Sequence, residues 1–101
     1  QALDLAPHGI RVNSVSPGWI WTEVLDGFAE GDRPRWEAVW GKYAALLRCG
    51  EPSEVAAAIA VLLGDDASFI TGADLPVDGG YLALGPAGGF QVTTLSARDE
   101  D

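Results

Sequence analysis

The sequence has little cysteine, no methionine and few basic residues. Cys49 is the one cysteine among 101 residues, so an internal disulfide framework and a spaced zinc-binding pair are both excluded. Six Lys and Arg residues against fifteen Asp and Glu residues give a formal net charge of −9. Because binding to a phosphate backbone needs a basic face, this balance argues against nucleic acid as the main partner.

Long apolar runs are also missing. No stretch reaches transmembrane length, and no basic start with an apolar middle indicates a signal peptide. We therefore expect a cytoplasmic protein with no membrane partner. A hydrophobic content of 48% with 21% charged residues is typical of an ordinary globular protein.

The stretch IRVNSVSPG, residues 10–18, predicts a strand that stops at a tight turn. Its apolar residues form a short run ended by Pro17 and Gly18, which is typical of a strand buried in a parallel sheet. We expect this strand over residues 10–16, after a helix end over residues 1–6. Such strand ends are where α/β proteins bind their ligands.

Three helices are predicted beyond this strand. Thr22 is suited to cap a short helix that runs through Ala29, and Asp32 to cap the next. The apolar face predicted for the second helix consists of Trp36, Val39, Trp40, Tyr43 and Leu47. The third helix is expected over residues 52–63, with Pro52 in its first turn.

A second strand is predicted in DLPVDGG, residues 74–80. A strand, a helix and a strand in this order imply a right-handed βαβ unit with parallel strands. Beyond Leu84 the periodicity is lost, and we expect residues 85–101 to form a solvated tail, although FQVTTL within it could also dock as an extra strand. Asp78 lies in a segment that lacks the repeated oxygen donors of a calcium loop, so no metal site is predicted.

Three segments, GIRVNSVSPGWIWT, RCGEPSEVAAAIAVLLGDDASFITG and LPVDGGY, resemble in order and spacing the C-terminal part of the short-chain dehydrogenase/reductase family. The resemblance covers roughly residues 1–82. It implies an α/β fold, the C-terminal part of a Rossmann-like doubly wound parallel sheet with its last two strands, substrate-loop helices and crossover helix. Residues 1–84 would belong to this NAD(P)-binding domain, with the substrate loop at about 19–48.

The family's catalytic motifs are absent from this sequence. In the family, a Gly-rich phosphate loop and a catalytic Ser and Tyr-x-x-x-Lys lie upstream of the matching region. No GxxxGxG occurs here, and neither Tyr43 nor Tyr81 has Lys four residues on. We therefore expect no catalytic residue in this chain, which would be the inactive C-terminal part of a longer enzyme. That enzyme would transfer a hydride between NAD or NADP and a small-molecule alcohol or carbonyl substrate.

The resemblance assigns cofactor contacts to four positions. Pro17 and Gly18 match the turn beside the nicotinamide ring, where a missing Cβ lets the backbone approach closely. Ile20 matches the residue whose main-chain amide and carbonyl hold the carboxamide. Thr22 matches the hydroxyl that bonds the carboxamide or the pyrophosphate. An ordinary turn at Pro17-Gly18 and a plain helix cap at Thr22 are the alternatives.

Four tryptophans are candidates for the substrate pocket: Trp19, Trp21, Trp36 and Trp40. Trp19 and Trp21 flank Ile20, and we expect them to point opposite ways, so that only one of them would face the pocket. Trp36 and Trp40 fit equally the buried face of a helix. Indoles stack against rings and sugars, which suggests an aromatic or sugar-like substrate.

The resemblance also implies a homotetramer or homodimer, with the helix at 52–63 and the last strand at one interface. The competing hypothesis is a non-catalytic remnant or an interaction module that docks on intact relatives. The residues that select NAD or NADP lie upstream in the family, so both cofactors stay open.

Overall fold

The computed structural model describes residues 1–84, and the predicted tail at 85–101 lies outside the described residues. In chain order the helices and strands are α1 (Ala2–Leu5), β1 (Ser14–Pro17), α2 (Glu23–Ala29), α3 (Arg33–Trp40), α4 (Pro52–Leu63), β2 (Asp74–Val77) and α5 (Tyr81–Leu84). Short 3-10 turns follow α1, α3 and α4 at Ala6–His8, Gly41–Tyr43 and Asp65–Ala67.

The two strands form a parallel pair joined through α4. Ser14 lies opposite Asp74, and Pro17 lies opposite Val77. The side chains support this register, because the hydroxyl of Ser14 donates to Oδ1 of Asp74 at 2.6 Å and that of Ser16 donates to the same oxygen at 2.9 Å. The predicted order of strand, helix and parallel strand is thus confirmed.

The first strand is shorter and more exposed than predicted. It begins at Ser14 rather than at residue 10, because the preceding residues bond irregularly to the loop before β2. The amide of Val12 donates to the hydroxyl of Thr71 at 3.1 Å, and the amide of Gly72 donates to the carbonyl of Val12 at 2.8 Å. The strand is not buried either, since within residues 1–84 each strand has a single neighbour.

Helices α2 and α3 begin where their caps predict. The hydroxyl oxygen of Thr22 accepts from the amide of Leu25 at 3.3 Å, and the carboxylate of Asp32 accepts from the amide of Arg35 at 3.4 Å. Each bond satisfies an amide that has no partner inside its own helix.

The predicted end of α3 is wrong. The helix ends at Trp40, so neither Tyr43, which lies in the following 3-10 turn, nor Leu47 belongs to its apolar face, and Leu47 has φ of 58°. A Cβ on Gly41 would lie 2.7 Å from the Cα of Arg48. The returning chain therefore passes against Gly41, and only a residue without a side chain permits this approach.

Helix α4 spans the predicted residues and is fixed at both ends. At its start, the amide of Glu51 donates to Oε1 of Glu54 at 2.9 Å. At its end, the guanidinium of Arg11 donates to the carbonyls of Leu62 at 2.8 Å and Gly64 at 3.4 Å. The partial negative charge of the helix C-terminus is thus paired with the charge of Arg11.

The core cluster of the described residues is small and lies within residues 21–49. Trp21, Ala29 and Cys49 form a buried cluster, and Leu25, Trp36 and Trp40 pack against it. Helix α5 was not predicted; the carboxylate of Asp78 accepts from the amides of Gly80 and Leu82 and begins it. No helix within residues 1–84 is long and apolar enough to cross a membrane.

Candidate cofactor site

A cleft of about 600 Å³ lies at the carboxyl end of β1. Its volume falls within the range of small-molecule sites, about 300–1,000 Å³. The four predicted cofactor residues all line it: Pro17, Gly18, Ile20 and Thr22. The remaining lining residues are Ser16, Trp19, Leu25, Asp78, Tyr81 and Leu82.

Gly18 is required by the way the two strands end. Its amide donates to the carbonyl of Val77 at 3.0 Å and continues the ladder of the sheet by one bond. A Cβ at this position would lie 2.7 Å from the Cβ and 2.9 Å from the Cα of Asp78. The sequence interpretation explained this glycine by the approach of a flat ring, whereas the structure supplies a second reason in the backbone of β2.

Ile20 presents an unused backbone donor and acceptor. Its neighbours bridge to Gly50, since the amide of Trp21 donates to the Gly50 carbonyl at 2.8 Å and the Gly50 amide donates to the carbonyl of Trp19 at 2.9 Å. Because successive peptide groups in extended chain face opposite ways, the amide and carbonyl of Ile20 point away from Gly50. Neither group has a hydrogen-bond partner among residues 1–84.

This pair fits the group that the resemblance implies. A primary carboxamide offers one carbonyl acceptor and an NH₂ donor, and the amide and carbonyl of one extended residue complement both. The hydroxyl oxygen of Thr22 accepts from the amide of Leu25, so its hydrogen is left for a ligand acceptor.

Asp78 lines the cleft, and its carboxylate holds the backbone that follows β2. Its Oδ1 accepts from the amide of Gly80 at 2.9 Å, and its Oδ2 accepts from the amide of Leu82 at 3.2 Å. Among the described residues, no group of three or more His, Cys, Asp and Glu side chains could hold a metal ion. Asp78 instead shapes the wall of the cleft opposite Gly18.

The four candidate tryptophans separate into two environments. Trp19 lines the cleft and is 39% exposed, whereas Trp21 is 7% exposed and its indole N–H donates to Oδ1 of Asp26 at 3.2 Å. Trp36 and Trp40 are half-buried against the core cluster and do not line this cleft. Only Trp19 is therefore placed to touch a ligand there.

Charged side chains link the substrate loop to the start of α4. Arg33 pairs with Glu37 at 2.9 Å and also with Glu51. The hydrogen bond from Arg33 lowers the pKa of Glu37, and the hydrogen bond from Arg48 is the main cause that lowers the pKa of Glu54 to about 2. None of these groups lines the cleft at Gly18, so they do not act as its acid or base.

The surroundings of Cys49 do not favour a nucleophilic thiolate. Its backbone amide donates to Oε2 of Glu37 at 3.1 Å, and burial raises the pKa of its thiol. A raised pKa disfavours the thiolate, which is the nucleophilic form. The thiol is part of the core cluster, as its small apolar size suggests.

Sequence reasoning missed several lining residues, of which Tyr81 and Leu82 at the start of α5 are the most distant from the predicted loop. One signal could have found them. The Asp-Gly-Gly stretch follows β2, and the carboxyl ends of neighbouring parallel strands lie at the same edge of a sheet. Residues directly after β2 should therefore meet residues directly after β1.

The likeness to known proteins decides the family. A family model described as Enoyl-(Acyl carrier protein) reductase matches residues 1–82. The chain belongs to the short-chain dehydrogenase/reductase family. The family predicted from the three sequence segments is thus confirmed.

Two relatives of this short-chain dehydrogenase/reductase chain are 45% identical to it. They are meso-2,3-butanediol dehydrogenase from Serratia marcescens, over 83 residues, and galactitol 2-dehydrogenase (L-tagatose-forming) from Cereibacter sphaeroides, over 80 residues. The matches cover 82% and 79% of this chain but only 32% and 31% of the relatives. The chain thus spans about a third of the length of these proteins.

Solved structures show the same fold. ElxO with NADP bound superposes with a TM-score of 0.73 at 35% identity, covering 81% of this chain and 33% of ElxO. 4-Hydroxyisoleucine dehydrogenase complexed with NADH gives a TM-score of 0.70 at 33% identity, covering 81% of this chain and 33% of that protein. The predicted fold class, part of a Rossmann-like α/β sheet, is confirmed. NAD or NADP, the predicted cofactor class, is also the class that these two structures hold.

Proposed function

We propose that this chain is the C-terminal part of an NAD(P)-dependent oxidoreductase, and that its cleft receives the nicotinamide half of the cofactor. The observation that carries the proposal is the free backbone amide and carbonyl of Ile20, which lie beside Pro17, Gly18 and Thr22 in one cleft. The two relatives named as dehydrogenases and the two structures with NADP or NADH support it.

In this proposal the chain binds and orients, and it supplies no acid or base. The amide of Ile20 donates to the carboxamide oxygen, and the carbonyl of Ile20 accepts from the carboxamide NH₂, which fixes the rotation of the ring. When bound, the cofactor supplies the hydride acceptor or donor. Trp19, Leu25 and Leu82 keep water from the ring. The proton transfer belongs to the family's Tyr-x-x-x-Lys, where the Lys charge lowers the pKa of the Tyr.

The substrate we propose is a small, uncharged alcohol or the matching carbonyl compound. No Lys or Arg side chain of residues 1–84 lines the cleft, so these residues offer no ionic partner to a carboxylate or phosphate substrate. Trp19 gives the wall an aromatic face. The two relatives named after polyols, 2,3-butanediol and galactitol, are consistent with this class.

We also propose a homodimer or homotetramer in which the outer face of α4 and strand β2 meet a second copy. Val61 leaves 58% of its surface exposed, although an apolar helix of this kind is normally covered. The alanines of α4 permit close approach of another helix. A cytoplasmic location stays a prediction from the sequence.

The test of the proposal replaces Ile20 by proline in the full-length protein that contains this chain. Proline removes the amide hydrogen and, being compatible with extended backbone, leaves the bridge of Trp19 and Trp21 to Gly50. We expect Ile20→Pro to weaken NAD or NADP binding about tenfold, the loss of one well-aligned hydrogen bond. Ile20→Ala, which keeps the amide, is the matched control and should bind within about twofold of the wild type.

Titration with ADP-ribose, which lacks nicotinamide, separates a local loss from a folding defect. Its affinity should be the same in the wild type and in Ile20→Pro. Equal NAD(P) affinity of Ile20→Pro and the wild type would refute the role of Ile20. A wild-type protein that binds neither dinucleotide would favour the alternative, a non-catalytic module that docks on intact relatives.

A further inference from the structure

We propose that Arg33 is a positioning residue: it fixes the indole of Trp19 in the wall of the cleft through a chain of contacts that runs over Trp21 and Trp40. This inference rests on the proposed function, because it assigns the cleft to a cofactor and a substrate. Arg33 itself does not line the cleft, so its effect must pass through the aromatic side chains.

Arg33 ties the substrate loop to the crossover helix. It is the first residue of α3, its Nε donates to Oε1 of Glu37 at 2.9 Å, and its Nη2 donates to Glu51 at the start of α4. The hydrogen bonds that Arg33 donates to Glu37 and Glu51 raise the pKa of its guanidinium, which stays charged throughout the physiological range. A planar guanidinium can hold two carboxylates at once, which an ammonium does less well.

The same guanidinium covers the buried tryptophan. Its Cζ lies 4.9 Å from the ring centroid of Trp21, within the range of cation–π attraction. The indole of Trp21 is held from a second side by its N–H bond to Asp26. The indole of Trp21 is therefore held by Arg33 on its face and by Asp26 at its N–H.

From Trp21 the contacts continue to the cleft. The ring centroid of Trp21 lies 5.6 Å from that of Trp40, and the Trp40 ring stacks on Trp19 at 5.9 Å with an interplanar angle of 12°. Tyr43 stacks on Trp19 as well, at 6.3 Å and 20°. Because Trp40 ends α3, a shift of that helix against α4 would move the ring on which Trp19 rests.

The consequence concerns the substrate rather than the cofactor. Pro17, Gly18 and Ile20 are held by β1, β2 and the bridge to Gly50, whereas the direction of the Trp19 side chain depends on α3. Arg33 thus makes the substrate wall preformed, and a preformed wall lowers the cost of ordering side chains on binding.

The test compares Arg33→Met with Arg35→Met in the full-length protein. Arg35 also lies over an indole, with Cζ 5.3 Å from the Trp36 centroid, but it has no carboxylate partner among residues 1–84. With meso-2,3-butanediol and NAD or NADP as probes, we expect Arg33→Met to raise the KM for the diol about fivefold. Its kcat and its affinity for the cofactor should stay within about twofold of the wild type. Arg35→Met should leave all three within about twofold.

A second readout does not depend on turnover. Stacked indoles couple their transitions and give a paired circular-dichroism signal, which should shrink in Arg33→Met and in Glu51→Gln but not in Arg35→Met. Glu51→Gln removes the charge that pairs with Arg33, keeps an acceptor for the capping box of α4, and serves if Arg33→Met does not fold. An unchanged signal in both variants would overturn the inference about Arg33. The two proposals can also fail separately. If the wild type does not bind NAD(P) but the circular-dichroism signal shrinks in the variants as expected, the proposed function is overturned and the role of Arg33 in holding the indoles is kept.

Discussion

Gly18 is the residue at which the fold and the proposed site depend most on each other. It directly follows β1, lines the cleft and lies so near Asp78 that an added methyl group has no room. Its neighbour in the cleft, Ile20, is proposed to act through its backbone amide and carbonyl, and any residue except proline has both groups. The identity of residue 18 is therefore fixed by packing, while that of residue 20 is left open by the proposed contact.

Gly18→Ala should destabilise the full-length protein by about 1–3 kcal/mol, the usual cost of forcing extra atoms into a packed site. The measurement is the free energy of unfolding in urea. Gly27→Ala is the matched control, because Gly27 lies within α2 with nothing within 4 Å of an added Cβ. That substitution should stabilise by up to about 1 kcal/mol through helix propensity. Equal effects of the two substitutions would contradict the packing argument.

The tryptophans show what sequence can and cannot predict at a single residue. The prediction that Trp19 and Trp21 point opposite ways is wrong, because residues two apart in an extended chain lie on the same face. Both rings lie against Trp40, with centroids 5.9 Å and 5.6 Å from its own, and only tertiary contacts decide which of the two is buried. Trp21 is buried because Ala29 and Cys49, which lie further along the chain, close over it. Their proximity depends on the path of the loop through Gly41, for which the local sequence gives no signal.

Among the elements, those with local signals were predicted best. Thr22 and Asp32 cap their own helices, and Pro52 begins α4, because each of these preferences is met within one turn. The start of β1 was predicted wrongly, since residues 10–13 bond to a loop about sixty residues away. Helix α5 was missed although Asp78 gives a cap signal, because the two following glycines indicate a turn.

The start of α4 carries a pH-dependent contribution to stability. The pKa of Glu54 is lowered to about 2, first by the hydrogen bond from Arg48 and then by the amide of Glu51. A folded-state pKa below the unfolded value of 4.5 means that this contribution is complete above about pH 5 and is lost as the pH falls toward 2. Because Glu54 is exposed, added salt should weaken the contribution.

Glu54→Gln keeps an acceptor for the Glu51 amide but removes the charge. We expect the difference in unfolding free energy between the wild type and this variant to be largest near about pH 6 and to shrink toward pH 2. Glu23→Gln, in the first turn of α2, is the control, since the side chain of Glu23 has no hydrogen-bond partner among the described residues. A difference that does not change with pH would contradict the assignment.

At the scale of the whole molecule, residues 1–84 bury little. The buried apolar residues are Trp21, Ala29, Ala44, Cys49 and Ala67, and three of these five are alanines. Large side chains such as Leu3, Leu63 and Phe69 are 87%, 77% and 102% exposed. A two-stranded sheet with so small a core is marginal by itself, so we expect the chain alone to fold poorly and to lack dehydrogenase activity.

The central claim is that this chain is the C-terminal third of a nicotinamide-dependent oxidoreductase. The most direct test is the sequence of the coding DNA upstream of Gln1. The account predicts an open reading frame that encodes Tyr-x-x-x-Lys and, farther upstream, a Gly-rich loop after a strand. A start codon or a stop codon directly before Gln1 would contradict it, and the search would turn to a partner chain on which this one docks.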